Sequence, residues 1–348
     1  MTADHDPAAG PFPTLTVAVT GPTGDIGRSL LRVLEHSPRV GRVVAMARRP
    51  FDPAAEGLTK TEYRRADVLD PGAVHEVIDG ADVVVHLAFM IMGGARDTTE
   101  INLTGSRNVF NAAIAAGASR LVYASSVAAY GFGPDNPPIL TEDIEPRGTA
   151  RHDYSAQKAE LEETLRELLA GTDTDAYVFR PCIVAGPDAI TLLETIPYVQ
   201  LRGKMPSAVL RALELLPALK PVLPDPGVPF QLVHHDDVAT ALEAAVHGRG
   251  APGIYNLAAD GTLTMADLAD ALGWYSMPVP ELAMEATAEV VARLPFVPAQ
   301  AQWIEALRRP VIMDTSRARE VLGWEPAYDA RETLEQMVRA ARAARVIR

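Results

Sequence analysis

VAVTGPTGDIGRSL, residues 17–30, decides the fold of this chain. It begins as a short valine-rich run, breaks at Thr20-Gly21-Pro22-Thr23-Gly24-Asp25-Ile26-Gly27, and continues with the apolar spacing of a helix. Glycines between a strand and the start of a helix mean that something approaches the backbone where side chains would stand. Helix N-termini expose unpaired N–H groups and the positive end of a dipole, so a pyrophosphate sits there without a lysine. Gly21 is expected to permit the tight turn, Gly24 the approach of phosphate, and Gly27 the packing of helix on strand. The stretch predicts a dinucleotide site; the bland alternative is an ordinary glycine-rich turn.

Outward from that turn, short apolar runs alternate with segments of helical period, which predicts an α/β protein with a doubly wound parallel sheet. Strands are expected at 15–20, 42–47, 83–88, 120–125, 176–180 and 231–234, and helices at 26–35, 102–116 and 154–169. From Pro187 the chain becomes proline-punctuated and leucine-rich. The expected organisation is a flexible segment 1–13, a Rossmann-type domain 14–186 to which 231–262 returns, and a smaller, mostly helical substrate lobe from 187–230 and 263–348. Residues 310–326 are assigned to that lobe.

A net charge of −13 argues against nucleic acid as partner, because phosphate neutralisation needs a concentrated basic surface. No run approaches the ~18 apolar residues of a membrane span. The acids and prolines of MTADHDPAAGPFP do not read as a secretory signal, and the single Cys182 cannot close an internal disulfide. These features predict a cytoplasmic protein acting on a small molecule. No metal is expected: adjacent His234 and His235 on a strand would point to opposite faces, with Asp237 capping a helix from Val238.

The second strand ends Val44-Ala45-Met46-Ala47-Arg48-Arg49. Ala47 stands where a carboxylate would bind the ribose hydroxyls of NAD, and Arg48 or Arg49 is placed to clamp a 2′-phosphate. NADP is the expected cofactor, with NAD as the other choice if both arginines are solvated loop charges. Asp67 either accepts from the adenine amino group or caps a turn.

Tyr154-Ser155-Ala156-Gln157-Lys158 sets a phenol and an ammonium on one helical face. A nearby cation favours phenolate, so the tyrosine would exchange a proton with a carbonyl or alcohol near neutral pH. Upstream, Ser125 and Ser126 end a strand and offer hydroxyls to the same substrate oxygen.

With these residues the chain resembles an extended short-chain dehydrogenase/reductase of the NAD-dependent epimerase/dehydratase superfamily, over about residues 15–326. The likeness also rests on Val85-His86-Leu87-Ala88, on Ile101-Asn102-Leu103-Thr104-Gly105, on Phe179-Arg180-Pro181, on His234-His235-Asp236-Asp237 and on Tyr255-Asn256-Leu257. The resemblance implies that Ser126 polarises the substrate oxygen, Tyr154 is acid or base, and Lys158 binds the nicotinamide ribose while tuning Tyr154. Asn102 falls where the family supports the site through its helix. Further cofactor contacts are implied for Thr23, Asp25, Ile26, Val68, Leu87, Ala88, Asn102, Pro181 and Ile183. Dimerisation through helices 102–116 and 154–169 is implied in the same way.

Val127 and Ala128 replace the acidic pair of the sugar-nucleotide dehydratases, and Ile183 stands in the slot of the epimerases' diphosphate-binding asparagine. An Arg-Pro start at Arg180-Pro181 is more like ketoreductase and hydroxysteroid-type branches, whose substrates are often apolar. Phe89-Met90-Ile91-Met92 lies where a substrate would meet the nicotinamide, Phe89 and Met90 being the expected contacts; core packing is the alternative. The reading is an NADP-preferring oxidoreductase interconverting a carbonyl and a secondary alcohol. Its rivals are an epimerase acting on a nucleotide sugar through a transient ketone, and a non-catalytic cofactor sensor.

Overall fold

The computed structural model describes residues 14–91, 98–150, 152–194, 196–202, 220–280 and 309–347. Up to the end of the main run of strands, the elements are β1 (Leu15–Thr20), α1 (Asp25–His36), β2 (Val40–Ala47), β3 (Thr61–Arg65), α2 (Pro71–Ile78) and β4 (Val83–His86). They continue with α3 (Gly105–Ala115), β5 (Arg120–Ala124), α4 (Asp153–Leu169) and β6 (Asp175–Pro181). After these come β7 (Ile183–Ala185), α5 (Thr191–Glu194), α6 (Pro197–Arg202), β8 (Val222–Asp225), β9 (Leu232–His234) and α7 (His235–Val246). The chain closes with β10 (Gly253–Leu257), α8 (Met265–Leu272), β11 (Tyr275–Pro278), α9 (Ser316–Leu322) and α10 (Ala330–Ala343).

Seven strands form one sheet in the order β10-β6-β5-β4-β1-β2-β3, every pair parallel. Valine-rich strands suit this because both faces are covered and successive side chains point to opposite sides. Val17, Val19, Val83 and Val85 pack under Leu30, Leu31 and Leu34 of α1 and Val238 and Leu242 of α7. Ala18 and Val84 face the other way, under Val77 of α2, Phe110 of α3 and Leu161 and Leu165 of α4. The chain reverses direction across the sheet between β1 and β4, which is where doubly wound sheets open a crevice at their carboxyl ends.

A third core joins Leu193, Ile196 and Val199 to Leu223, Leu232, Leu268, Leu334 and Met337. Two small parallel pairs, β7 with β9 and β8 with β11, frame it. The predicted strand 231–234 exists and pairs with β7 outside the main sheet, Val233 packing in the first sheet core and Leu232 in the third, and the seventh place in the main sheet goes to β10, which carries Tyr255-Asn256-Leu257. Residues 310–326 also differ from the expectation. Met313, Ala318, Leu322 and Trp324 pack in the first sheet core, Leu140 N–H donates to the Ile312 carbonyl at 2.7 Å, and Trp324 Nε1 donates to the Asp237 carbonyl at 2.8 Å. The segment covers the β10 edge because its apolar residues match that exposed strand, a long-range fit that local patterning does not show. Met92, quoted with the Phe89 stretch, lies outside the described residues.

The two histidines correct a further expectation. His234 ends β9 while His235 opens α7, so the alternation of a strand does not apply and their rings lie 4.3 Å apart. His234 Nδ1, not Asp237, caps α7 by accepting from Asp236 N–H at 3.1 Å, and Asp237 accepts instead from Ala327 N–H at 2.8 Å. Ligand atoms of His234, His235 and Asp236 do fall within 4.8 Å of one another. His235 Nδ1 contacts Ser29 Oγ at 2.6 Å, its Nε2 accepts from Asp188 N–H at 3.2 Å, and the Arg32 guanidinium lies 3.9 Å from Asp236, while His234 Nε2 is buried without a hydrogen-bond partner among the described residues. Among the described residues no helix is long and apolar enough to cross a membrane.

Candidate active site

The glycine turn behaves as its spacing predicts. Gly21 has φ +76°, and a Cβ there would meet the Ala88 nitrogen at 2.7 Å, so the turns after β1 and β4 touch through a glycine. At Gly27 a Cβ would fall 2.3 Å from the Gly21 carbonyl oxygen, which excludes any side chain between helix and turn. Gly24 caps α1 without a side chain, and a Cβ there would meet only the Gly21 oxygen at 3.5 Å. Two glycines thus close the turn on itself while the third leaves open space over the helix N-terminus. That cradle fits a dinucleotide pyrophosphate. Asp25, the first residue of α1, is turned toward the lobe, where it accepts from Thr191 Oγ1 at 3.1 Å; burial raises its carboxyl above the usual value.

Ala47 ends β2, followed by exposed Arg48 and Arg49. The Arg48 guanidinium reaches across to the Met90 sulfur at 3.1 Å, bringing it to the same rim as the turn after β4. Asp67 Oδ1 accepts from Leu69 N–H at 3.1 Å, the contact of a turn cap. Val68 is buried, and its carbonyl accepts from Asn108 Nδ2 at 2.9 Å. Leu87 and Ala88 follow β4 at the crevice, pinned by Leu87 N–H to the Thr20 carbonyl at 3.1 Å. Pro181 ends β6 in the core, and Ile183 opens β7 on the lobe side.

The Ser126 hydroxyl lies beside the Tyr154 phenol and acts on its ionisation. Ser126 caps the 3-10 turn Val127–Tyr130, and that turn is tied to α4 because Ser155 Oγ donates to the Ala128 carbonyl at 2.6 Å. Lys158 is buried one helical turn after Tyr154, its Nζ donating to the Ala124 carbonyl at 2.7 Å and to Tyr123 Oη at 3.3 Å. The Phe89 ring covers that ammonium with its centroid at 3.8 Å and meets the Tyr154 ring edge-on at 5.4 Å. Phe89 therefore packs against the two α4 side chains themselves.

The electrostatics differ from the simple expectation that lysine lowers the phenol. Burial raises the Tyr154 phenol above its ordinary value, the Ser126 hydrogen bond opposing it. Burial also draws the Lys158 ammonium down to about 7, with the Glu162 charge pushing the other way. Between about 7 and the ordinary 10.5 the unfolded chain holds a proton that the fold does not, so stability rises with pH across that window. Below about 7 both forms are charged and the full cost of burying the ammonium remains. Denaturant titrations from neutral to alkaline pH are expected to show this rise, and Lys158→Met is expected to flatten it.

Asn102 lies in a π-helical turn, Glu100–Thr104, just before α3. Its Oδ1 accepts from Met90 N–H at 2.8 Å, and its Nδ2 donates to the Met90 carbonyl at 2.9 Å and to Gln157 Oε1 at 2.7 Å. Both polar atoms are spent on protein, so Asn102 holds the Phe89-Met90 segment against α4.

Several groups were not singled out by sequence. His86, fully buried on β4, joins Thr20 Oγ1 at 2.7 Å to Ser106 Oγ at 2.8 Å, and burial first, then the Lys158 charge, hold it down to about 3. His152 caps α4 and stacks near Phe132, ring centroids 5.0 Å apart; burial holds it down to about 4. Glu162 accepts from Ser125 Oγ and from Arg180. Its signal was present, since Glu162 falls four residues after Lys158 on the same helical stripe.

With this geometry in hand, comparison places the chain. A model of the NAD dependent epimerase/dehydratase family matches residues 17–258. The chain belongs to that family. A relative named only as an uncharacterized protein of Mycobacterium tuberculosis is 26% identical over 331 residues, 93% of this chain and 83% of its own. The sterol demethylase protein B of Methylococcus capsulatus is 30% identical over 180 residues, 50% of this chain and 52% of its own. Among solved structures, a dTDP-glucose 4,6-dehydratase double mutant from Streptomyces venezuelae with bound NAD superposes with a TM-score of 0.71 at 22% identity. That match covers 94% of this family member and 97% of the other chain. A UDP-glucose 4-epimerase from Thermotoga maritima with UDP-glucose gives 0.69 at 20% identity, covering 95% and 99%. At such identities the structural likeness shows the shared Rossmann-type fold.

Proposed function

We propose that this family member is an NADP-preferring oxidoreductase that interconverts a carbonyl and a secondary alcohol on a small apolar molecule. The observation that carries the reading is the gathering of Ser126, Tyr154 and buried Lys158 at the carboxyl edge that also holds the glycine turn. The nicotinamide, when bound, supplies or accepts the hydride. Tyr154 holds the proton that the substrate oxygen gains or loses. Ser126 lies beside that phenol and is placed to polarise the same oxygen. Lys158 holds positive charge near the phenol and would hold the nicotinamide ribose. Phe89 and Met90 give the crevice an apolar wall, in keeping with a substrate that is not a sugar nucleotide. Ser125 is a support, since its hydroxyl is committed to Glu162.

The glycine turn would hold the pyrophosphate, and Arg48 and Arg49 the 2′-phosphate. Replacing both arginines with alanine is expected to weaken NADPH by roughly 10- to 100-fold, the scale of one charge-assisted hydrogen bond or two, while NADH changes little. Equal losses for both cofactors would remove the NADP preference. The function itself is tested by following reduced-cofactor absorbance across ketones, secondary alcohols and nucleotide sugars. Turnover of apolar ketones or alcohols supports it. Sugar epimerisation without net cofactor oxidation would replace it, and cofactor binding without hydride transfer across the whole panel would leave a sensor.

A further inference from the structure

The carboxyl end of β5 is held to α4 by two side chains of that helix, and only one of them belongs to the expected proton-transfer group. Lys158 grips the Ala124 carbonyl and the Tyr123 hydroxyl. One turn further on, Glu162 accepts from the hydroxyl of Ser125, the next residue along and the neighbour of Ser126. This carboxylate is almost fully buried, with a side-chain exposure of 4%, and is held by an arginine of 0% exposure. Arg180 on β6 donates from Nε to Oε1 at 3.0 Å and to Oε2 at 3.2 Å, and from its terminal nitrogen to Oε2 at 2.5 Å. The guanidinium is in turn fixed by the Ile144 carbonyl at 3.2 Å and lies over the Tyr130 ring at 4.3 Å.

Arg180 thus pairs directly with the carboxylate, while Lys158, one turn before it on α4 and bonded elsewhere, lies within reach of its charge. Burying an ammonium without a compensating anion drives off its proton. The groups around Lys158 offer little else: Tyr123 from β5 and Tyr154 from α4 are phenols raised by burial, and His86 from β4 is held neutral. The Phe89 ring contributes only its π face. Among the described residues, Glu162 is the group whose charge favours the protonated lysine.

We propose that Glu162, clamped by Arg180, is a positioning residue of this site: it locks the Ser125–Ser126 segment onto α4 and keeps Lys158 an ammonium beside Tyr154. The inference rests on the proposed role of Tyr154 and Lys158, but it is testable in the ligand-free chain. The sequence has four lysines, Lys60, Lys158, Lys204 and Lys220, so NMR of side-chain-labelled lysine resolves few signals, and Lys158→Met assigns the one of interest. In Glu162→Gln the Lys158 titration midpoint is expected to fall by about one pH unit or more, the scale of losing a nearby opposite charge. Glu162→Asp is expected to restore most of it. Should Glu162→Gln fail to fold, the double change Arg180→Met with Glu162→Leu removes the unpaired arginine as well, and the midpoint falls there too.

In turnover, Glu162→Gln moves the basic limb of the carbonyl-reduction profile to lower pH, a signature that loosened packing alone would not give. A Lys158 midpoint that stays put in the folded variants overturns the inference while leaving the proposed function intact. A wild-type chain without hydride transfer removes the proposed function, and the lysine titration still decides whether Glu162 sets the charge.

Discussion

Tyr154→Phe is expected to lower turnover by roughly 10²–10⁴-fold, the range that positioned general acid–base groups contribute. The change deletes one hydroxyl and leaves the ring, so the edge-on contact with Phe89 at 5.4 Å and the packing of α4 stay in place. Cofactor affinity should remain within a few-fold, because the glycine turn and Lys158 are untouched. Steady-state rates and cofactor titration together separate the two effects. Unchanged turnover would mean that another group moves the proton, and the proposed mechanism would fall.

The second large effect is on stability. Arg180→Ala leaves Glu162 as a buried carboxylate whose remaining side-chain partner is the Ser125 hydroxyl, and breaking a buried ion pair in this way costs about 3–5 kcal/mol. Domains are typically stable by only about 5–15 kcal/mol, so this one change removes a large share. Denaturant unfolding should show a lower midpoint with little change in slope. Replacing the pair by Met and Leu is expected to recover most of the loss, since apolar groups of similar volume need no countercharge. A loss below about 1 kcal/mol for Arg180→Ala would place the pair with solvent-screened surface bridges and contradict its burial.

The parts of this molecule that were legible in its sequence are those governed by local rules. Gly21 and Gly27 announced the turn because backbone sterics alone demand glycine there, and the valine runs announced buried parallel strands because both faces of each strand are covered. Tyr154 and Lys158 were visible because one helix carries both. What escaped depended on contacts between distant segments. The placement of 310–326 over β10, and of 231–234 beside β7, follows from which apolar faces remained uncovered once the sheet had formed. The histidine pair was misread at one residue, where strand periodicity gives way to helix between His234 and His235. Arg180 was quoted as part of a pattern, yet its meaning as a buried countercharge needed Glu162 brought beside it by the β5–β6 pairing.

The cover over β10 bears on synthesis. Translation delivers β1 to β6 first, yet the strand that pairs with β6 arrives only at Gly253–Leu257, and the segment that seals it comes after Pro310. During that interval the nascent polypeptide presents the unpaired backbone of β6 as a sheet edge, a template for strand addition by another chain. Productive folding of the Rossmann-type half therefore waits on residues beyond Pro310, and ribosomes stalled or released before that point would yield aggregation-prone fragments.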